Sequence, residues 1–322
     1  MPITLVTGAT GFVGAHLIPA LQGAGWPVRA AVRSSAGVVL PEGVDRVAVG
    51  DLAQAPDLRD ALAGIDVVIH LAGRAHVVRE TAADVDRIFR RVNVAATRHL
   101  ADQAAVAGVR RFVLLSSVKV NGERTGDRPF TEADVPAPED AYGRSKQEAE
   151  QALRAVGAAT GLAVAIVRPP LVYGPGVKAN FLRLLRLVDR GVPLPLGSVR
   201  NQRSLIGVWN LCDLIVACAT HPAAAGETFL ASDQRDLSTP ELIRLIGHAL
   251  GRPARLFPFP VTALRQAGRL AGQGDAVERL VGSLQVDSTK ATRLLGWQPV
   301  VGVEEGLRRT GEWYLRSIGQ VR

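Results

Sequence analysis

The chain has 322 residues, of which 47% are hydrophobic and 21% are charged. This balance is typical of globular proteins and excludes fibrous and disordered classes. The longest apolar runs, such as residues 162–167, are too short for membrane insertion. The N-terminal stretch also lacks the basic region of a signal peptide. The two cysteines, Cys212 and Cys218, match neither a metal spacing nor a redox pair, so two free thiols indicate a reducing, cytoplasmic compartment.

The formal net charge is +8, and arginine carries almost all of the positive charge. The arginines are scattered along the chain rather than gathered in a run, so we expect no nucleic-acid interface. A compositional bias toward alanine and arginine explains the charge best. The alternative is that several arginines bind small anionic ligands such as pyrophosphates.

The first half of the chain alternates short apolar runs with helical stretches. Strands are predicted at residues 3–7, 28–32, 44–49, 67–71, 112–115 and 162–167, and helices at 12–22, 87–106 and 145–156. Strands that alternate with helices need crossover connections and form a parallel sheet. The predicted fold class is therefore α/β, with a doubly wound parallel sheet. Further helices are predicted at 181–190, 240–250 and 303–318.

A glycine-rich loop, TGATGFVG at residues 7–14, separates the first predicted strand from the first predicted helix. Gly8, Gly11 and Gly14 allow a tight turn, the approach of backbone amides to a pyrophosphate, and close contact between helix and strand. The same loop contains three further predicted cofactor contacts: Thr10, Phe12 and Val13. This order of elements predicts dinucleotide binding, with a plain glycine turn as the alternative. A P-loop is excluded because no Gly-Lys-Ser/Thr follows.

We therefore expect two domains. Residues 1–168 form a Rossmann domain that binds NAD(P). Residues 169–322 form a smaller, mostly C-terminal substrate domain, from which the chain crosses back to the first.

The residues after the second and third strands bear on the choice of nucleotide. NAD sites usually place an acidic residue after the second strand, but this chain has Arg33 and Ser34 there. An arginine suits a 2′-phosphate, so the sequence favours NADP(H). NAD(H) is the alternative, with Arg33 as a solvated surface residue. Asp51 follows the third strand, where it meets the adenine amino group or caps a surface turn.

Tyr142 and Lys146 form a Tyr-x-x-x-Lys motif at the start of the helix predicted at 145–156. Residues four apart share one helix face, so we expect Lys146 to lower the pKa of the Tyr142 phenol. A phenol tuned in this way exchanges a proton with a carbinol oxygen while hydride moves to or from nicotinamide. Ser116 and Ser117 end the strand at 112–115, where one hydroxyl holds the same oxygen or simply caps the strand.

Together these motifs resemble the extended short-chain dehydrogenase/reductase family, in its group of nucleotide-sugar epimerases, dehydratases and ketoreductases. The resemblance runs in order along essentially the whole chain. The matching segments are TGATGFVG (7–14), DL (51–52), HLAG (70–73), RVNVAATRHL (91–100), SSVKVNG (116–122), YGRSK (142–146), RPPLVYGPG (168–176), QRSLIGVWNLCDLI (202–215) and VDSTKATRLLGW (286–297). The resemblance implies a UDP-sugar substrate and a homodimer formed through helices 87–106 and 145–156.

The resemblance also implies roles for individual residues. Ser117, Tyr142 and Lys146 are the catalytic residues, and Asn93 braces the active-site helix beside the cofactor. The other implied cofactor contacts are Leu52, Leu71, Ala72, Gly73, Ser116 and Pro169. The implied substrate contacts are Arg203 on the diphosphate, Asn180 near the phosphates, Arg279 as a looser second diphosphate contact, and Ser117 and Lys119. His76 either faces the substrate or is a loop residue without such a role. His70 ends a strand and is expected to pack beside the cofactor. We expect no metal site, because no histidine pair has metal-ligand spacing.

Departures from the family pattern narrow the reaction. Sugar 4,6-dehydratases carry two acidic residues after the catalytic serine or threonine, whereas this chain has Val118 and Lys119, so dehydration is not expected. Asn121 stands where 4-epimerases commonly carry tyrosine. The SSVKVNGE segment is most similar to UDP-4-keto-6-deoxy-N-acetylhexosamine 4-reductases, and a net reductase at C4 is the main prediction. The alternative is a UDP-hexose 4-epimerase, acting on UDP-glucose or UDP-N-acetylglucosamine with retained NAD. A non-catalytic dinucleotide sensor or RNA-binding relative is disfavoured by the intact catalytic motif.

Overall fold

A computed structural model describes residues 1–75 and 82–319. Within these residues the strands are β1 (Thr4–Thr7), β2 (Val28–Val32), β3 (Asp45–Ala48), β4 (Val67–His70), β5 (Arg111–Leu115), β6 (Ala163–Arg168), β7 (Leu171–Tyr173), β8 (Leu205–Gly207) and β9 (Thr228–Leu230). The α-helices are α1 (Phe12–Gly23), α2 (Arg59–Leu62), α3 (Ala82–Phe89), α4 (Ala96–Val106), α5 (Ala141–Thr160), α6 (Ala179–Asp189), α7 (Val208–Thr220), α8 (Thr239–Ala249), α9 (Val261–Leu270), α10 (Gly274–Val281), α11 (Thr289–Leu295) and α12 (Val303–Ser317).

A seven-stranded parallel sheet in the order β3-β2-β1-β4-β5-β6-β9 confirms the predicted fold class. The central strand β1 pairs with β2 on one side, where Thr4 faces Val28, and with β4 on the other, where Thr4 faces Val67. The strand order therefore reverses between β1 and β4. Ligands of open α/β sheets bind outside the carboxyl ends of the strands at such a point. The glycine loop after β1 begins there.

Apolar side chains cover both faces of this sheet. On one face α1 and α7 supply buried leucines such as Leu17 and Leu211. On the other face α2, α4 and α5 supply Leu62, Leu100 and Leu153. The strands between them are buried on both sides, which explains why they read as continuous apolar runs in the sequence.

The helices that flank the site are longer than the sequence pattern predicts. The helix predicted at 145–156 is α5, which runs from Ala141 to Thr160. The helix predicted at 87–106 begins earlier, with α3, and passes through a π-helical turn, Arg90–Ala95, before α4. Apolar periodicity reports buried positions only, so it misses polar ends that are fixed by capping groups such as the Asp140 side chain.

The C-terminal part builds its own core around the short parallel pair β7 and β8. Phe181 and Leu185 from α6 pack there with Ile243 from α8 and Leu307 from α12. The chain also returns to the large sheet, because β9 pairs with β6 and α7 packs against the sheet face. The division into domains at residue 168 stays a prediction.

None of the helices in residues 1–75 and 82–319 is long and apolar enough to span a membrane. Cys212 and Cys218 both lie on α7 as buried free thiols, and burial raises the pKa of each thiol.

A buried ion pair joins α5 to the end of β6. Arg168 donates two hydrogen bonds to the Glu150 carboxylate, from Nε at 2.8 Å and from Nη2 at 2.6 Å, and both side chains are almost fully buried. Ser116 donates to the same carboxylate at 2.5 Å, and a third bond from Arg168 reaches Asn121 at 3.0 Å. Asn121 therefore completes the polar surroundings of Arg168. This cluster fixes the catalytic helix against two strands.

We predict that Arg168→Met destabilises the fold by about 3–5 kcal/mol, because it leaves the Glu150 carboxylate buried without its main partner. The measurement is urea unfolding at neutral pH. Arg154 also donates to Glu150, at 3.1 Å, but its side chain is 43% exposed. The matched control Arg154→Met should cost less than about 1 kcal/mol. Equal losses in the two variants would contradict this account of the cluster.

Candidate active site

The glycine loop meets the geometric demands of a pyrophosphate-binding turn. Gly8 has φ +70°, a conformation that favours glycine, and a Cβ there would lie 2.7 Å from the backbone nitrogen of Ala72. A Cβ on Gly14 would lie 2.6 Å from the carbonyl oxygen of Ala9 and closer still to that of Gly8. The loop therefore packs closely against both the start of α1 and the segment after β4. Thr10 and Gly11 are exposed at its tip.

The residues predicted to bind the adenosine end lie along the next strand ends. Arg33 and Ser34 follow β2 and are exposed, and the Ser34 hydroxyl accepts a hydrogen bond from the Ala36 N–H at 3.3 Å. Asp51 accepts from the Ala53 N–H at 3.1 Å and so caps a 3-10 turn that starts at Leu52. One oxygen of Asp51 makes this cap, so the turn and adenine interpretations of Asp51 are compatible.

Asn93 lies in the π-helical turn and connects three parts of the site. Its Nδ2 donates to the Ser145 hydroxyl at 2.9 Å and to the Arg74 carbonyl at 3.0 Å, while its Oδ1 accepts from the Arg74 N–H at 2.8 Å. Ser145 in turn donates to the Tyr142 carbonyl at 2.8 Å. A π-helical turn inside an α-helix frequently marks a functional site. Here it places Asn93 where the predicted brace requires it.

His70 is almost fully buried at the end of β4 and belongs to a directed chain of hydrogen bonds. Thr97 donates its hydroxyl proton to the Asn93 carbonyl at 2.6 Å, so His70 Nε2 must donate to Thr97, at 3.1 Å. His70 Nδ1 then accepts from the Thr7 hydroxyl at 2.6 Å. Burial, together with the charge of Lys146, lowers the pKa of His70 to about 3, so the ring is neutral. This histidine therefore orders the strand ends beneath the site.

The catalytic motif lies beside this scaffold. Tyr142 occupies the first turn of α5, half-buried, with its ring 5.9 Å from that of Phe89 between centroids. Lys146 follows one turn later and is 4% exposed. A Cβ on Gly73 would lie 3.9 Å from Lys146 Nζ, so the ammonium faces the segment after β4. No hydrogen bond within residues 1–75 and 82–319 ends on this ammonium.

Burial dominates the acid–base properties of Tyr142 and Lys146. Burial raises the pKa of Tyr142 to about 12, while a hydrogen bond with Ser117 lowers it and the Asp140 charge raises it. Lys146 is not among the groups that shift this pKa, so the lowering of the Tyr142 pKa by Lys146 stays a prediction. Burial also lowers the pKa of Lys146 to about 8, although the charge of Glu150 acts in the opposite direction and raises it. A ligand that favours the tyrosinate and the ammonium would lower the pKa of Tyr142 and raise the pKa of Lys146.

Two predicted ligand contacts have other partners. The Ser116 hydroxyl is buried and donates to Glu150, and the Ser116 N–H donates to the Val167 carbonyl, so neither donor is available to a cofactor. The Lys119 ammonium, predicted to contact substrate, forms ion pairs with Glu123 at 2.5 Å and Asp140 at 2.7 Å. Of the other predicted cofactor contacts, Phe12 and Val13 open α1, and the remainder lie on the loops after β4 and β6: Leu71, Ala72, Gly73 and Pro169.

The two arginines predicted to bind a diphosphate both lie near the C-terminal end of α10. Burial lowers the pKa of Arg203, with opposing effects from Glu123, which raises it, and from Arg279, which lowers it. Arg203 also donates to the Gly282 carbonyl at 3.0 Å. Arg279 is exposed on α10. The pair forms a positively charged region that suits an anionic group.

Two other predicted substrate contacts remain apart from this pair. Asn180 is exposed in the first turn of α6, directly after Ala179 with its φ of +53°, and no described contact joins it to the other site residues. His76 lies outside the described residues.

Sequence reasoning missed four residues that order the site. In the sequence, Thr7 ends an apolar strand and Thr97 lies inside a helix. Only the fold places both threonines within hydrogen-bonding distance of His70. Asp140 carries a readable signal, because an aspartate before a helix is a preferred N-cap. Glu150 follows Lys146 by four residues and thus shares its helix face.

The fold and this site are typical of the short-chain dehydrogenase/reductase type, with a tyrosine–lysine pair near a glycine-rich loop. Residues 4–231 match the model of the NAD dependent epimerase/dehydratase family. The chain therefore belongs to this family of enzymes.

Individual relatives agree with this assignment. A UDP-glucose 4-epimerase of Vibrio cholerae is 44% identical over 316 residues, covering 97% of this chain and 95% of the relative. MoeE5, solved in complex with UDP-glucose and NAD, is 29% identical with a TM-score of 0.77, covering 98% of this chain and 99% of that one. The UDP-glucose 4-epimerase of Thermotoga maritima, 23% identical with a TM-score of 0.79 over 98% of this chain and 99% of that one, shows the same fold.

The residues present fit a dinucleotide. A Cβ on either Gly8 or Gly14 would collide with backbone atoms, so these glycines allow the tight turn and the close helix contact that a pyrophosphate loop requires. The buried Lys146 ammonium, which has no protein partner within the described residues, faces the same edge. A ribose hydroxyl is a suitable acceptor for it.

We predict that Gly14→Ala weakens NAD binding at least about tenfold, because its Cβ would collide with backbone atoms and move the loop. Nucleotide titration followed by tryptophan fluorescence measures the loss, and thermal unfolding checks the fold. Gly23→Ala on the same helix is the control, since nothing lies within 4 Å of its Cβ. Gly11→Ala, whose Cβ would lie 3.1 Å from the Gly8 carbonyl oxygen, should fall between them. Unchanged NAD affinity in folded Gly14→Ala would contradict the assignment of the loop.

Proposed function

We propose that this enzyme interconverts UDP-hexoses that differ in configuration at C4, using a retained NAD. The observation that carries the proposal is the Ser117, Tyr142 and Lys146 arrangement beside the glycine loop, in a chain 44% identical to a UDP-glucose 4-epimerase over nearly its whole length. The main sequence prediction was a net 4-ketoreductase. The similarities support the epimerase alternative better than that prediction.

The chain's own residues supply the acid–base chemistry of the reaction. Bound NAD supplies a reversible hydride acceptor. Tyr142 takes the proton from the C4 hydroxyl as hydride leaves C4, and Ser117 holds the same oxygen in register. The Lys146 ammonium binds the nucleotide and favours the tyrosinate through its charge. The 4-keto sugar then rotates and presents its other face. Tyr142 returns the proton to the C4 oxygen as C4 regains hydride on that face.

Substrate anchoring falls to the C-terminal part of the chain. Arg203 and Arg279 bind the diphosphate of UDP, because two neighbouring guanidinium groups match its charge and its oxygen geometry. Asn180 contributes near the phosphates once α6 lies against the substrate. An anchor at the diphosphate leaves the sugar free to rotate, as presentation of both faces of C4 requires.

A net reduction of a UDP-4-keto-6-deoxy-N-acetylhexosamine is the second candidate. The exposed Arg33 after β2 favours it, because a guanidinium there suits the 2′-phosphate of NADPH. The absence of acidic residues at Val118 and Lys119 argues against dehydration under either candidate.

We also propose a cytoplasmic homodimer. The buried free thiols of Cys212 and Cys218 suit a reducing compartment. The helical stretch formed by α3 and α4, together with α5, supplies the surface of a four-helix interface.

We predict that Tyr142→Phe lowers kcat for interconversion of UDP-glucose and UDP-galactose by about 10²–10⁴-fold, because it removes the group that transfers the proton. The NAD affinity should stay unchanged. The assay follows both UDP-sugars by chromatography, from either direction, and includes the N-acetyl pair. Tyr314→Phe, which alters a tyrosine on α12 bonded to Asp189, is the matched control and should keep wild-type turnover. Turnover within twofold of wild type in Tyr142→Phe would rule out this mechanism.

A further inference from the structure

Ser117 and Tyr142 reach the site from two separate segments, and each segment begins at a side-chain cap. Ser117 Oγ accepts from the Lys119 N–H at 3.2 Å and caps a 3-10 turn, Val118–Val120. Asp140 Oδ1 accepts from the Gly143 N–H at 2.7 Å and caps α5. The relative placement of the two catalytic hydroxyls therefore depends on what holds these two caps together.

Lys119 is the residue that joins them. Its backbone N–H bonds Ser117, and its ammonium donates to Asp140 Oδ2 at 2.7 Å, the oxygen that the helix cap leaves free. The backbone is equally close, since a Cβ on Gly143 would lie 2.8 Å from the Lys119 carbonyl oxygen. The first turn of α5 thus rests directly on the turn that follows Ser117.

The charges around Tyr142 give this contact a second effect. Burial alone would lower the pKa of Lys119, but hydrogen bonds to Asp140 and Glu123 raise it, so the ammonium stays charged. Burial raises the pKa of Asp140, but hydrogen bonds from Lys119 and from the Gly143 N–H lower it by more. The Asp140 carboxylate therefore stays ionised. That carboxylate opposes ionisation of Tyr142.

The ionisable groups near the phenol or its neighbours, among the described residues, come from three segments. The Ser117 segment brings Lys119 and Glu123, and α5 with its cap brings Asp140, Lys146 and Glu150. The end of β4 brings the neutral ring of His70, which faces the charge of Lys146. The α3 side brings the uncharged ring of Phe89. Lys119 is the cation in contact with Asp140.

We propose that Lys119 is a positioning residue: it ties the Ser117 turn to the cap of the catalytic helix and neutralises the carboxylate beside Tyr142. Its ammonium acts on the phenol through Asp140 and does not contact the sugar. This inference rests on the proposed function, because it assigns a role within the same site.

The test compares Lys119→Met, Asp140→Asn and the double variant. Asparagine caps a helix about as well as aspartate, so Asp140→Asn removes the charge and keeps the start of α5. The primary readout is the pH at which Tyr142 ionises in the NAD-bound protein. Each variant is titrated with and without the added change Tyr142→Phe. The tyrosinate absorbance that this change removes belongs to Tyr142, and its pH dependence gives the midpoint. The chain has only three tyrosines, which keeps this subtraction simple.

We expect Lys119→Met to move this midpoint upward by about one pH unit, since it leaves Asp140 uncompensated beside the phenol. At fixed pH below the midpoint, kcat should then fall about tenfold, with KM within about twofold of wild type. Asp140→Asn in the same background should return the midpoint to the wild-type value or below it. Lys119→Arg, which keeps a cation, should rescue most of the loss.

An unchanged midpoint in Lys119→Met would overturn the proposal, as would a double variant whose midpoint stays raised. A rise in KM alone would instead make Lys119 the substrate contact that the sequence predicted. The proposed function can fail separately. If the wild-type protein binds NAD but interconverts no UDP-hexose, the epimerase assignment is wrong, while the midpoints still decide the role of Lys119.

Discussion

The site depends on one buried amide. Asn93 is held by the π-helical turn and bonds both the Arg74 backbone after β4 and Ser145 on α5. A side-chain amide has two donors and an acceptor, so it can fix a loop and a helix at once. This connection anchors α5 to the segment after β4 through Ser145. Tyr142 and Lys146 hold their places against the nucleotide edge because α5 cannot slide along that edge.

Polar anchors of this kind recur at each side of the catalytic helix. The Glu150–Arg168 pair joins its middle to β6, and Lys119 joins its first turn to the segment after β5. Apolar packing is non-directional and holds the layers together, but it does not set the position of a helix along its axis to the precision that proton transfer needs. Hydrogen bonds to buried charged groups provide that precision, since a displaced helix would leave them unsatisfied. The enzyme thus combines apolar layers with a directed polar frame.

Much of this could be predicted from the sequence because the signals were local. The glycine loop and the Tyr142–Lys146 spacing are each read within eight residues, and the apolar runs predict the parallel sheet. The last strand of the large sheet, β9, could not be predicted. It has three residues, which are too few to show a periodic pattern, and its place beside β6 depends on the fold. The contact of Lys119 with Asp140 could not be predicted for another reason. The two residues are distant in sequence, so a lone lysine after Ser117 shows only its type and its place in the motif. Long-range pairs of charged groups are a property of the fold, and a single sequence does not show them.

Epimerase and reductase share the same proton chemistry and differ in what becomes of the hydride. An epimerase returns the hydride to the sugar and therefore keeps its nucleotide, whereas a reductase must exchange the nucleotide after each turnover. The nucleotide released by denaturing freshly purified, extensively dialysed protein tests this difference most directly. We predict close to one NAD per chain, with Arg33 a surface residue. An empty protein that binds NADPH in preference to NADH, and oxidises it only with a UDP-4-keto sugar, would contradict the epimerase assignment and establish the reductase.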